Sequence, residues 1–280
     1  MIALHHTYSE EAIHKNFRGA KRVAFNLDLL TQHRQRLLGE RDGFHFISTR
    51  WKEAKAQLYL ETIDKCAYCE ASTKVVAHGD VEHYRPKSIY WWLAYCYDNY
   101  LVSCAVCNEV HKKDEFPTGL SALAQPVLLP TATDAELKAM APWITPDPWQ
   151  DHKGRPRTQF LGELDQEQPL LLNPYLCDPE TYFAYEVDEL LQEVSIIPLT
   201  SQVAPHVNET VRVYGLNRVE LLSLRHFFFS MYDTFRRTLL DDGIKLETRQ
   251  DNEAAIERMK QPKAPFAGMV RYFDRILRPV

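Results

Sequence analysis

The sequence predicts an α-rich α+β protein in which a small cysteine-clamped unit is embedded between N- and C-terminal helical regions. Three observations carry this expectation. Apolar residues recur at helical spacing towards both ends of the chain. Four of the six cysteines form two CxxC pairs, Cys66/Cys69 and Cys104/Cys107. Ten of the sixteen prolines fall within residues 117–179, too many for long regular elements there. A length of 280 residues suits one large domain or two modest ones, and 45% hydrophobic with 25% charged residues excludes disordered, collagen-like and coiled-coil classes. The longest apolar runs, such as Phe227-Phe228-Phe229, are far too short for a bilayer. The first residues lack a basic stretch followed by an apolar one, so the expectation is a cytoplasmic protein without a membrane span.

The elements follow in order. Residues 1–60 form the N-terminal helical region. Ser9 is a plausible cap for a helix over 9–38, and Trp51, Ala54 and Leu58 mark a second helix running from about Thr49 into the first CxxC. Residues 61–117 hold the cysteine-clamped unit. Within it Lys74–Ala77 reads as strand, Tyr97–Ser103 as a turn feeding a short strand, and the second CxxC opens a helix presenting Asn108, His111 and Lys112. The aromatic run Tyr90–Tyr95 reads as packing against this small unit rather than as a base-stacking platform. Residues 118–200 read as an irregular, acidic, proline-rich connector. Residues 201–280 return to helix: Val207, Val211 and Tyr214 share a face with Gly215 as stop, Asn217 and Glu220 resemble a capping box, and Phe266, Val270, Phe273 and Leu277 mark the last helix.

The net charge of −5 hides an asymmetry. Residues 1–60 hold ten lysines and arginines against six carboxylates, and residues 134–193 hold four against thirteen. Such a distribution permits phosphate binding on one face only.

In a reducing compartment paired CxxC knuckles point to metal. Each knuckle presents two thiolates about 3.5–4 Å apart, and two knuckles complete the tetrahedron that zinc prefers. Between them stands Asp80-Val81-Glu82-His83-Tyr84-Arg85-Pro86-Lys87. An acid directly before a histidine is awkward in a core, but suits a site where a carboxylate holds a hard cation and an imidazole takes a proton from water. Asp80 lies one strand period before Glu82 and shares its face, as a second ligand or as a surface charge.

A strand bearing acid-His, a turn with Asn and a CxxC-opened helix beginning with Asn resemble the HNH endonuclease superfamily, in its four-cysteine zinc branch. More narrowly, C-A-Y-C-E, V-E-H-Y-R-P-K, Y-D-N-Y-L-V-S-C-A-V-C-N and H-K-K-D-E-F-P resemble the PtuB-like HNH nucleases of Septu-type antiphage defence. Gln168–Pro174 and Tyr214-Gly215-Leu216-Asn217-Arg218 add to the likeness, and the strong motif match spans about a fifth of the chain. The resemblance implies a zinc-clamped ββα-metal core, with Cys66, Cys69, Cys104 and Cys107 on structural zinc. It implies that His83 is the general base, and that Glu82 and Asn108 ligate one catalytic Mg²⁺ or Mn²⁺. Asn99 would position the loop carrying His83, and Arg85, Lys112 and His111 would bind phosphate. It further implies a nucleic-acid substrate, DNA favoured over RNA, and a PtuA-like ATPase partner encoded in the same operon. This sequence carries Glu where Asp is commoner before the histidine, and Asn as the final member of the triad; both changes keep an oxygen ligand. The competing readings are a non-catalytic zinc-stabilised nucleic-acid-binding module and a partner-docking protein.

Overall fold

The computed structural model of the chain describes residues 1–74, 79–150 and 156–277. It is helix-rich, with two small antiparallel sheets. Among the described residues no helix is long and apolar enough to cross a membrane. The N-terminal region contributes α1 (Gly19–Leu37), α2 (Ser48–Lys52) and α3 (Lys55–Thr62). Helix α1 begins ten residues later than Ser9, whose hydroxyl accepts from Ala12 N in a local turn instead. The second expected helix is split into α2 and α3, and it stops at Ile63 and Asp64, both left-handed (φ 53° and 59°). That stop turns the chain sharply into the first cysteine knuckle.

Strands β1 (Asp80–His83) and β2 (Tyr100–Ser103) pair in register, with Glu82 opposite Leu101 and His83 opposite Tyr100. The π-helix Val106–Lys112 follows directly. All four β2 residues are buried because alternate side chains enter different cores. Tyr100 and Val102 pack with Ile13, Phe17, Ala54 and Leu58, whereas Leu101 packs with the cysteines and the C-terminal helices. The strand expected over Lys74–Ala77 falls mostly on residues outside those described.

The stretch expected as an irregular connector is more ordered than its prolines suggest. It contains α4 (Asp134–Met140), opened by a Thr133–Glu136 capping box, and α5 (Arg157–Asp165). It also contains a hairpin of β3 (Phe183–Asp188) and β4 (Glu193–Pro198). The C-terminal region holds α6 (Ala204–Tyr214), α7 (Val219–Thr238), α8 (Leu246–Lys260) and α9 (Ala267–Leu277). Gly215 stops α6 in the left-handed conformation (φ 58°), as its position predicts. The expected Asn217 capping box is absent. The Asn217 side chain instead accepts from Ile196 N and donates to Ile196 O (both 2.9 Å), extending the β4 edge with an amide. The run Tyr90–Tyr95 is buried against α1, α4 and α5, so these rings serve packing.

Candidate functional site

The four cysteines of the two knuckles converge. Their sulfurs all lie within 4.8 Å of one another, with Cys69 and Cys104 4.0 Å apart. Tetrahedral zinc thiolate has S···S edges of about 3.8 Å, so the cluster needs only a slight contraction to close on a metal. The backbone explains the convergence. The first knuckle is a tight loop closed by Cys66 N to Ala71 O (3.0 Å), with Glu70 left-handed (φ 61°), and Ala67 N donates to Val102 O (2.9 Å), tying it to β2. The second knuckle leaves β2 immediately, and Cys107 N donates to Cys104 Sγ (3.4 Å). Hydrogen bonds with the Cys107, Cys66 and Cys69 sulfurs push the Cys104 thiol far down, while burial pushes Cys66 up.

One strand away lies a cavity of ≈ 430 Å³. All four residues of β1 line it, joined by Asn108 from the π-helix, Trp51 and Lys55 from the N-terminal helices, and Lys87. The structure thus brings Glu82, His83 and Asn108 to one place. His83 is buried, and its ring meets Trp51 and Tyr100 edge to face (5.1 Å each, 81° and 84°). Burial, with Lys87 and Lys112 adding to it, pushes the imidazole down to about 3, so it is neutral near pH 7. Its Nε2 lies 3.0 Å from Ala94 O, and a neutral ring must donate there. Nδ1 is then the nitrogen with a free lone pair.

Glu82 is buried too, and burial pushes its carboxyl up, with Lys112 acting against it. Lys112 Nζ lies 2.6 Å from Glu82 Oε1, out of line for a hydrogen bond, and donates to His83 O (3.0 Å). Oxygen donors from Glu82 and Asn108 at one cavity, with Asp80 beside them, are the donor chemistry a hard divalent cation takes. Asn99 does not line the cavity. Its Oδ1 accepts from Arg85 N (2.8 Å) and its Nδ2 donates to Arg85 O (3.0 Å), fixing the chain as it leaves His83.

The three residues expected to bind phosphate are all engaged elsewhere. Arg85 is buried and paired with Glu167 (2.6 Å), with a second bond to Leu164 O (2.7 Å). Lys112 is fully buried on Glu82. His111 packs against Gly215. The cations that do line the cavity are Lys52, Lys55, Lys87 and Lys113, drawn from three separate stretches of chain. The basic excess of residues 1–60 was the available signal for two of them. Asp80 lines the cavity and stands 3.9 Å from Lys55.

No protein-family profile matches the chain. It is similar to the Septu protein PtuB of Bacillus mycoides (strain KBAB4), with 28% identity over 174 residues. The match covers 58% of this chain and 45% of that relative, so less than half of the relative's length is represented.

Proposed function

We propose that the chain is a metal-dependent endonuclease of the HNH type, acting as the nuclease of an antiphage defence system beside an ATPase partner. The observation that carries the chemistry is the meeting of Glu82, His83 and Asn108 at one lysine-rimmed cavity. The similarity to a Septu protein PtuB and the motif resemblance support the biological setting.

In this reading the tetrathiolate cluster holds zinc and fixes the two strands and the π-helix relative to one another. Glu82 and Asn108 hold Mg²⁺ or Mn²⁺, which when bound supplies positive charge to the phosphate in the transition state. His83 takes the proton from the attacking water at Nδ1, because its other nitrogen is committed to Ala94 O. The edge contacts of Trp51 and Tyr100 keep the ring from turning away, and Asn99 fixes the following peptide. Lys52, Lys55, Lys87 and Lys113 take the flanking phosphates, the task that the resemblance implies for Arg85, Lys112 and His111. DNA is the favoured substrate, through the family resemblance.

The test is cleavage of a panel of single- and double-stranded DNA and RNA with Mg²⁺ or Mn²⁺, comparing the unaltered protein with His83→Ala, each with and without the co-expressed ATPase. Cleavage by the first and none by the second is expected. Full activity in the His83→Ala protein would remove the HNH reading. No cleavage by either, with nucleic acid still bound, would favour the non-catalytic module.

A further inference from the structure

The segment Tyr214-Gly215-Leu216-Asn217-Arg218 stands out in the sequence, and the catalytic reading gives it no task. The fold places it over the cysteine cluster, more than a hundred residues on from the second knuckle. Tyr214 is fully buried and stacks on Tyr68 inside the first knuckle, with centroids 3.7 Å apart and planes 19° apart. Arg218 Nη1 donates to Cys107 Sγ (3.5 Å) and to Gly215 O (3.0 Å). Among the described residues no carboxylate lies within 4.0 Å of Arg218, an unusual state for a half-buried guanidinium. Its polar partners are a sulfur of the cysteine cluster and a backbone carbonyl.

We infer that Arg218 is the outer-sphere counter-cation of the cysteine cluster, and that the Tyr214–Arg218 turn forms the outer half of the metal centre. This rests on the zinc reading of the four cysteines. Four thiolates on Zn²⁺ carry a net charge of −2, and with Cys66, Cys69 and Cys107 buried that charge is costly unless a cation neutralises it. A guanidinium N–H on Cys107 Sγ draws electron density from that sulfur. That slows attack on the sulfur by electrophiles, while the guanidinium charge stabilises the thiolate against protonation and so against loss of zinc. Cys107 immediately precedes Asn108, so α6 and α7 stabilise the cation site through the metal cluster without touching the cavity.

The experiment uses the full chain, with zinc counted by elemental analysis and its affinity measured by competition with a chromogenic chelator. Arg218→Met is expected to weaken zinc binding about tenfold or more, with far-UV circular dichroism unchanged. Release of zinc on thiol alkylation is expected to quicken in parallel. Arg218→Lys, which keeps the charge but not the planar fork, should fall between the two. If Arg218→Met fails to fold, Arg218→Lys decides, since weaker zinc binding in a folded protein supports the role. Zinc binding and release unchanged in the folded variants would overturn it. Unaltered protein that neither contains nor takes up zinc would defeat the metal reading underneath.

Discussion

Arg85 and Lys87 sit two residues apart with the same charge, and the fold gives them opposite work. Arg85 is turned inward onto Glu167, which lies 82 positions away in sequence, and Tyr90 Oη donates to the same carboxylate (2.6 Å). Lys87 reaches the cavity with its ammonium 5.6 Å from the centre of the Trp51 ring. Charge is legible in a sequence; which neighbour neutralises it is not. The two positions should respond differently. Arg85→Ala leaves the buried Glu167 carboxylate without its counter-cation, which should cost about 3–5 kcal/mol in denaturant unfolding. Lys87→Ala should leave stability within about 1 kcal/mol while weakening nucleic-acid binding and flattening its salt dependence. The reverse pattern would return Arg85 to the substrate. Asn99 holds backbone on both sides of Arg85. Asn99→Ala removes two bonds to the Arg85 peptide and should cost about 2 kcal/mol, read in the same unfolding experiment.

Helical stops and stripes at the C-terminal end were readable because Gly215 and the Phe266–Leu277 stripe are local signals. The β3–β4 hairpin was missed although its period-2 pattern is present in Phe183, Tyr185 and Val187 and again in Val194 and Ile196. The density of prolines and acidic residues around it masks that alternation. The role of Asn217 is not local, because its partner, Ile196, lies on that hairpin. At Gly215 two constraints coincide: φ is 58°, and an added Cβ would clash with the His111 ring. Gly215→Ala should therefore cost about 1–3 kcal/mol and shift the π-helix that carries Asn108, seen as reduced metal affinity alongside a lower melting temperature. Glu61 of α3 is a second joint. It accepts from Thr7 N (2.8 Å) and Tyr175 Oη (3.0 Å) and pairs with His6 (2.8 Å), joining the N-terminal segment to the loop before β3. Burial alone would raise its carboxyl, but the bond and charge of His6, with the bonds from Thr7 and Gln57, outweigh that and hold it below the usual carboxylate range. A depressed carboxyl contributes stability that is present above the unfolded value and lost as pH falls through the folded one. Unfolding measured from pH 6 down to pH 3 should show Glu61→Gln less stable at pH 6, with the gap narrowing on acidification.

Across the whole molecule the two-stranded sheet of β1 and β2 is the meeting place of the cores. One face belongs with α3 and the segment before α1, the other with the cysteines, β3–β4 and the C-terminal helices. A sequence motif spanning about a fifth of the chain identified this unit because its chemistry is local: knuckle, strand, turn, knuckle. The walls of its cavity were not legible, because Trp51 and Lys55 come from the N-terminal helices, and their approach depends on long-range packing. The same holds for Arg218 on the cysteine cluster. The central claim is that two cation sites with different ligand chemistry act together here: thiolates that hold zinc tightly, and oxygen donors at Glu82 and Asn108 that hold Mg²⁺ or Mn²⁺ loosely. The most direct measurement follows nucleic-acid cleavage before, during and after a brief EDTA treatment, with zinc per chain counted by elemental analysis at each stage. The account predicts that cleavage stops and returns on adding Mn²⁺, while one zinc per chain stays bound throughout. Folded, active protein without zinc, or cleavage indifferent to EDTA, would contradict it.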